Sequence, residues 1–208
     1  MTIVSGVLPD WLSVSRETSE ALLTLEQLVR KWTSAVNLIS KSSVTEIWER
    51  HILDSAQIWP LLKHMPASWV DLGSGGGFPA LVLAVIAKDH SPKTKFTLVE
   101  SDARKAAFLM QAVRTLNLNA QVIVKRIESI DALGGDVVSA RALGSLDLLL
   151  GFAHRHIKPA GRAFFPKGST FQQELSAAHK RWKFNCQTHI SRTDPQAAIL
   201  EVDGIELL

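Results

Sequence analysis

A glycine-rich turn directly after a short apolar run constrains the fold more than any other feature of the chain. The run Trp69-Val70-Asp71-Leu72 is typical of a buried strand, and four of the five residues in 73–77 are glycine. Glycines let the chain turn tightly and let its backbone approach a ligand closely. Phe78-Pro79 follows, and Pro79 fits the first position of a helix, where its missing N–H is not needed. This strand, turn and helix predict a nucleotide-type binding site.

Three kinds of site compete for such a turn. A P-loop requires Gly-Lys-Ser/Thr after the glycines, and the chain has none. A dinucleotide fingerprint requires a third glycine at position 78, which is Phe78. The spacing Gly73-x-Gly75-x-Gly77, with Asp71 just before it, favours a site for S-adenosylmethionine. A glycine turn without a ligand remains the alternative.

The rest of the chain alternates between helical and strand patterns. Apolar residues at helical spacing predict helices over 16–36 and 44–63, so residues 1–65 are predicted to form an N-terminal helical extension. In residues 66–208, strands are predicted near 68–72, 95–100, 120–126, 136–140, 161–166, 184–190 and 197–203, and helices near 79–89, 102–116, 145–156 and 170–182.

The connection between the last two predicted strands is too short for a helix. Only Arg192 to Pro195 lie in it, and such a turn permits only a hairpin. Strands alternating with helices otherwise predict a parallel sheet covered on both faces. The fold class is therefore α/β, with a seven-stranded doubly wound sheet and a terminal antiparallel hairpin, and this pattern resembles the Rossmann-like, class I methyltransferase domain.

Two further segments are placed to complete the predicted cofactor site. Glu100 closes the second strand, and ligands of parallel sheets bind at the carboxyl ends of strands. Its carboxylate is suited to accept both ribose hydroxyls, although a helix-capping or surface role is the alternative. Ile127 and Glu128 follow the third strand, where they would hold an adenine ring; an ordinary loop is the alternative.

The residues after the fourth strand bear on the methyl acceptor. Amino-group enzymes carry Asn/Asp-Pro-Pro-aromatic there, whereas this chain has Ser139-Ala140-Arg141-Ala142. Cys186, the only cysteine, lies in a late strand and is a poor nucleophile for a cytosine-C5 enzyme. Arg141 cannot act as a base, but it can bind phosphate or a guanine carbonyl. Guanine N7 has a lone pair and needs no base. We therefore expect Arg141 to position the substrate, with a surface ion pair as the alternative.

Composition and charge restrict the partners. The 208 residues, 46% of them hydrophobic, suffice for one globular domain, and the single cysteine excludes an intrachain disulfide. No signal peptide or membrane-spanning run is visible, so a cytoplasmic location is expected. Seven lysines and arginines stand against only Glu174 between His154 and Lys183, which favours RNA; a solvated surface is the alternative. His51 has no partner at metal-ligand spacing, so no metal is expected.

Several motifs resemble one known family over nearly the whole chain, the bacterial small-subunit (16S) ribosomal RNA guanine-N7 methyltransferases, known as RsmG or GidB. The matching residues are Arg50-His51-Ile52-Leu53-Asp54-Ser55, the turn from Asp71 to Pro79, Glu100-Ser101, Arg126-Ile127-Glu128, Ser139-Ala140-Arg141-Ala142 and Lys167-Gly168. One departure is Ala80, where the family usually has glycine.

The resemblance implies methyl transfer from S-adenosylmethionine to guanine N7 in 16S ribosomal RNA, either naked or in the small ribosomal subunit, by a monomer. The residues expected to bind the cofactor are Gly73, Gly75, Phe78, Glu100, Ile127, Glu128 and Arg141. Arg50, His51 and Lys167 are the candidates for the RNA side, although the Arg50–Ser55 run could instead form a buried polar network. Another methyltransferase of this fold, and a non-catalytic RNA- or cofactor-binding protein, are the rival hypotheses.

Overall fold

The computed structural model describes residues 6–208, so residues 1–5 of the predicted extension lie outside the described part. A single seven-stranded sheet has the strand order β3-β2-β1-β4-β5-β7-β6. Its strands are β1 (Ser68–Leu72), β2 (Lys95–Val99), β3 (Ala120–Ile123), β4 (Gly135–Ser139), β5 (Ile157–Lys167), β6 (Trp182–Ile190) and β7 (Ala198–Leu207). Strands β1 to β5 are parallel, whereas β7 is antiparallel to both β5 and β6. The predicted fold class, with its terminal hairpin, is confirmed.

The α-helices lie between the strands and in the N-terminal extension. They are α1 (Arg16–Thr33), α2 (Asp54–Ala56), α3 (Ala80–His90), α4 (Ala103–Thr115), α5 (Leu146–His156) and α6 (Phe171–Ala178). The sequence predicts Pro79 as the first residue of α3, but Pro79 is the N-cap and the helix begins one residue later, at Ala80. Within residues 6–208, no helix is long and apolar enough to cross a membrane.

The predicted continuous helix over 44–63 is wrong. The chain instead forms a 3₁₀ turn (Lys41–Glu46), a π-helical turn (Trp48–Leu53), the three-residue α2 and a 3₁₀ turn (Trp59–Leu61). Pro60 lies in the last turn and cannot continue an α-helix, because its ring removes a hydrogen bond and meets the preceding turn. The polar side chains of these turns also bind the main domain, and those contacts override the helical periodicity.

Side chains of each strand alternate between two hydrophobic cores, one on each face of the sheet. Trp69 and Phe96 belong to the core that α1 and α3 cover, and Val70 and Val99 belong to the core that α5 covers. Buried residues of the extension, such as Leu22, join the first core. The first core therefore contains residues from both sides of the predicted domain boundary between residues 65 and 66. The division into an extension and a main domain at that position stays a prediction.

Candidate active site

Two adjacent cavities lie where the carboxyl ends of the parallel strands meet. The turn cavity, of about 460 Å³, is lined by all seven residues predicted to bind a cofactor: Gly73, Gly75, Phe78, Glu100, Ile127, Glu128 and Arg141. The His51 cavity, of about 1020 Å³, is lined by the three candidates for the substrate side: Arg50, His51 and Lys167. Leu38, Arg141 and Ala142 line both cavities. These three residues form the wall between them.

The glycine turn is held in a conformation that favours glycine. Gly73, Gly75 and Gly77 have φ values of 65°, 54° and 84°, in the left-handed region. At Gly76 the requirement for glycine is steric and not conformational, because a Cβ there would lie 2.7 Å from the backbone oxygen of Leu38. The N-terminal extension thus closes directly over the turn.

Glu100 is fixed against this turn by backbone amides. Its Oε2 accepts a hydrogen bond from the Gly75 amide at 2.8 Å, and its Oε1 accepts one from the Asp102 amide at 2.7 Å. The N-cap of α4 is Asp102, whose carboxylate accepts from the Arg104 and Lys105 amides. Glu100 is therefore not the helix cap, and its carboxylate borders the turn cavity.

The third side of the turn cavity is a short 3₁₀ turn. Ile127 is buried in it, and Glu128 is exposed. Arg155, from α5, donates to the Glu128 carbonyl at 2.9 Å and to the Ile130 carbonyl at 2.5 Å. Because of these bonds, Arg155 stabilises the wall of the turn cavity.

Arg141 is the centre of a buried polar network. Its Nη1 donates to Asp54 Oδ2 at 3.1 Å and to the Arg50 carbonyl at 3.2 Å, and its Nη2 donates to His51 Nδ1 at 2.8 Å. Its guanidinium carbon lies 5.1 Å from the centre of the Phe78 ring. The side chain is only 16% exposed, so the surface ion pair considered from sequence is excluded.

His51 is a neutral member of this network. Burial, with the nearby charges of Arg141 and Arg50, lowers the pKa of His51 to about 3. Since Arg141 can only donate, Nδ1 must accept and the ring proton lies on Nε2, which is 3.0 Å from Ser43 Oγ. The ring also stacks on Phe78 with centroids 5.0 Å apart. The predicted polar network of the Arg50–Ser55 run is present, while the exposed Arg50 side chain borders the His51 cavity.

Asp71 lies beneath the glycine turn with one carboxylate oxygen unsatisfied. Its Oδ1 accepts from Ser139 Oγ at 2.5 Å, and Oδ2 has no hydrogen-bond partner in the described structure. The side chain is buried, and this burial raises the pKa of Asp71 to about 6. A buried polar atom without a partner is uncommon and often marks a functional site.

Lys167 lines the His51 cavity but is engaged by neighbours. Its ammonium lies 2.6 Å from Glu174 and donates to the Gly144 carbonyl at 2.9 Å, and Glu174 accepts from the Leu146 amide. These contacts hold the loop that contains Ala142, whose φ of 54° is unfavourable for alanine. Lys167 thereby supports the wall between the cavities.

The basic C-terminal segment differs from its sequence interpretation. Five of its seven cations form ion pairs: Lys158 with Asp136, Arg162 with Glu201, Lys167 with Glu174, Arg181 with Asp147 and Lys183 with Glu206. Four of those acids lie outside the segment, where a local count of charge misses them. The segment is therefore not a strongly cationic surface. Within residues 6–208, no group of three or more potential ligands could hold a metal ion.

Some residues of the site escaped the sequence analysis. Gln57 and the β6–β7 turn, residues 191–197, pack beside the His51 cavity, although no local motif marks them. Leu143 and Phe152 add apolar surface to the turn cavity. The separation of His51 and Asp54 by three residues is the one sequence signal that could have placed their side chains on the same face.

The sheet order and the glycine turn after β1 define the class I methyltransferase fold. A methyltransferase from Aquifex aeolicus described as dependent on S-adenosylmethionine aligns with a TM-score of 0.56 at 14% identity, over 87% of this chain and 96% of that chain. A TehB-like methyltransferase from Corynebacterium glutamicum also gives a TM-score of 0.56 at 14% identity, over 87% and 98%.

Sequence comparison gives the particular family. The family described as rRNA small subunit methyltransferase G, or GidB, matches residues 18–198. Two relatives carry the name ribosomal RNA small subunit methyltransferase G. The one from Ruegeria pomeroyi is 48% identical over 196 residues, covering 93% of this chain and 95% of the relative, and the one from Cereibacter sphaeroides is 50% identical over 194 residues, covering 93% and 94%. This chain belongs to that family, and the predicted enzyme class, a methyltransferase, is confirmed.

Proposed function

We propose that this protein transfers a methyl group from S-adenosylmethionine to N7 of a guanine in small-subunit (16S) ribosomal RNA. The observation that carries the proposal is the position of Arg141 in the wall between two cavities. The turn cavity is assigned to the cofactor and the His51 cavity to the guanine. The names of the relatives support an RNA substrate for this arrangement.

The residues of the turn cavity fit the cofactor. Its volume of about 460 Å³ suits a small molecule, and the left-handed glycines leave the backbone accessible. We assign the ribose to Glu100, the adenine to Ile127 and Glu128, and the methionine end to the neighbourhood of Gly73 and Gly75. When bound, the cofactor supplies a sulfonium methyl group.

The proposed reaction requires no general base. The N7 lone pair forms the new bond to the methyl carbon as the carbon–sulfur bond breaks, and the guanine ring acquires the positive charge. Arg141 stays protonated, and His51 is a weak base because its pKa is about 3 and its Nδ1 already accepts from Arg141, so neither removes a proton. Their contribution is to hold the acceptor in line with the methyl group. This alignment lowers the activation barrier, because the reacting atoms are already correctly oriented.

The contact with RNA is assigned to exposed cations beside the two cavities. Lys41 and Arg50 border the His51 cavity, and Lys125 and Arg126 border the turn cavity. Lys167 is retained on the substrate side as a support for the cavity wall, because its ammonium is bonded within the protein. We expect the protein to act as a monomer.

Incubation with methyl-labelled S-adenosylmethionine tests this function. Naked small-subunit RNA and assembled small subunits are supplied in parallel, and the labelled guanines are mapped. Label at N7 of a guanine is expected in at least one of the two substrates. Label at another atom, or only in protein or small molecules, contradicts the proposal. Salt-dependent RNA binding with no transfer of label would identify a non-catalytic RNA-binding protein.

A further inference from the structure

The carboxylate of Asp54 joins three distant segments of the chain. Its Oδ2 accepts from Arg141 Nη1 at 3.1 Å. Its Oδ1 accepts from Thr193 Oγ1 and from Gln57 Nε2, each at 2.9 Å. Arg141 is 87 residues away along the chain, and Thr193 is 139 residues away. One side chain therefore links the wall between the cavities to the β6–β7 turn.

Gln57 strengthens the link to that turn. It is buried, its Nε2 also donates to Ser191 Oγ at 3.0 Å, and its Oε1 accepts from the Arg192 amide at 2.8 Å. Ser191 and Thr193 line the far side of the His51 cavity. The width of that cavity between Arg141 and the β6–β7 turn thus depends on Asp54 and on its neighbour Gln57.

We propose that Asp54 is a positioning residue for methyl transfer, which sets the distance between Arg141 and the β6–β7 turn on either side of the bound nucleotide. This inference rests on the proposed function, because it takes the His51 cavity as the acceptor site. Asp54 lines the His51 cavity and reaches the turn cavity only through Arg141, so we expect its effect to be larger on the acceptor than on the cofactor.

The variant Asp54→Asn tests the two hydrogen-bonded links, because its side chain can no longer accept hydrogen bonds on both sides. An asparagine has one acceptor oxygen and one donor nitrogen, whereas Arg141 on one side and Gln57 on the other both donate. In either orientation of the amide, one side meets a donor instead of an acceptor. The side chain keeps its shape, but an amide nitrogen that faces Arg141 loses that bond, and one that faces the turn loses the bond from Gln57 and can only donate to the Thr193 hydroxyl.

Steady-state kinetics with small-subunit RNA and calorimetry with S-adenosylmethionine test the proposal. For Asp54→Asn, kcat is expected to fall about 10- to 100-fold, because Arg141 loses its carboxylate partner in either orientation of the amide, while the affinity for the cofactor changes less than about threefold. The matched control is Asp136→Asn, which changes another ion-paired aspartate. Asp136 lies at the amino ends of β1 and β4, away from the two cavities. The control is expected to lose stability without losing activity. If Asp54→Asn keeps kcat and the RNA KM within twofold of the wild type, the proposal is wrong.

A second variant covers the case in which Asp54→Asn does not fold. Thr193→Val keeps the shape of the side chain and removes the hydroxyl that donates to Asp54 and also lies 3.0 Å from Ser191 Oγ. We expect a severalfold higher KM for RNA with little change in kcat or in cofactor affinity. Hydrogen exchange of the 191–197 amides should rise in this variant, while exchange in the glycine turn stays at the wild-type rate. Unchanged KM together with unchanged exchange would overturn the inference.

The two hypotheses fail in different ways. If the wild-type protein transfers no label to small-subunit RNA, the proposed function is wrong. The exchange measurement still reports on the Asp54 link in that case, because it requires no substrate. If the wild type is active and Asp54→Asn matches it, only the role of Asp54 is rejected.

Discussion

Among single residues, burial shifts the pKa values of two acid–base groups near the site. Burial raises the pKa of Asp71 to about 6, and burial beside Arg141 lowers the pKa of His51 to about 3. Both shifts favour the neutral form, because a charge is poorly solvated inside the protein. At neutral pH, however, Asp71 is ionised while His51 is neutral, so Arg141 has a second carboxylate close to it in addition to Asp54.

The variant Asp71→Asn tests this account through the pH dependence of stability. The folded state binds the Asp71 proton more tightly than the unfolded state does, since the pKa is about 6 when folded and 3.8 in the reference state. Stability from this group is therefore present below about pH 4 and is lost as the pH rises through 6, by roughly 3 kcal/mol.

The measurement is chemical unfolding of both proteins at pH 4.5 to 7.5 in the absence of cofactor. Because asparagine does not titrate, the free energy of unfolding of Asp71→Asn should fall less with rising pH than that of the wild type. Parallel pH profiles for the two proteins would show that the carboxyl is not desolvated in solution.

Arg141→Lys tests the geometry of the guanidinium separately from its charge. An ammonium retains the positive charge but cannot reproduce the fork that reaches Asp54, His51 and the Arg50 carbonyl together. We expect kcat/KM for RNA methylation to fall about 10- to 100-fold. Steady-state assays at constant ionic strength measure this, and a loss below twofold would mean that charge alone suffices.

Among the elements of the fold, the N-terminal extension forms part of the turn cavity, which we propose as the cofactor site. Its Leu38 carbonyl lies where a side chain at Gly76 would be, and Leu38 lines both cavities. The irregular turns of 41–61 present His51 and Asp54 to Arg141. A regular helix over 44–63 would orient these side chains differently, so the irregularity is a property of the site.

Gly76→Ala tests the contact between the extension and the glycine turn. The new methyl group would lie 2.7 Å from a backbone oxygen, which cannot rotate away as a side chain can. We expect about 1–3 kcal/mol lower stability and weaker binding of S-adenosylmethionine. Thermal unfolding and calorimetry give the two quantities.

Gly168→Ala is the matched control for this prediction. Gly168 also borders a cavity, but a Cβ there meets no atom within 4 Å. Its stability should stay within about 0.5 kcal/mol of the wild type. Equal effects of the two substitutions would refute the contact as the cause.

At the scale of the whole molecule, the distribution of charge depends on ion pairs between distant segments. The net charge is +3, and most cations of the basic C-terminal segment are neutralised by acids from elsewhere in the chain. Exposed cations beside the turn cavity have no ion pair among the described residues, namely Lys125 and Arg126. The edge of the sheet that holds the cavities is therefore the better surface for a polyanion.

Salt-dependent RNA binding distinguishes the two surfaces. The double variant Lys125→Ala/Arg126→Ala should weaken binding and reduce the slope of log affinity against log salt by about 1 for each lost phosphate contact. Lys158→Ala/Lys183→Ala makes the same change in net charge at ion-paired positions. This second double variant should change the slope little. If it lowers the slope more than Lys125→Ala/Arg126→Ala does, the C-terminal segment is the surface that binds RNA.

The sheet, the hairpin and the seven predicted residues of the turn cavity could all be predicted from the sequence. These features depend on local patterns: the glycine turn follows β1, Glu100 follows β2, and Ile127 follows β3. Parallel strands bring such strand ends to one edge, so local order along the chain becomes proximity in space. The short connection at 191–197 likewise leaves only an antiparallel pairing for the last strand.

The partners of the charged groups could not be predicted from the sequence and are seen only in the folded structure. Asp54, Arg141 and Thr193 are far apart in the chain, and no periodicity predicts that one carboxylate serves both others. The ion pairs of the basic segment and the broken helix over 44–63 have the same origin. Contacts between distant segments contribute as much free energy as local helix propensities do. A local sequence pattern contains no information about these contacts. The glycine turn marks the position of the turn cavity, and the packing of the extension against Arg141 shapes the His51 cavity, where we propose that the acceptor binds.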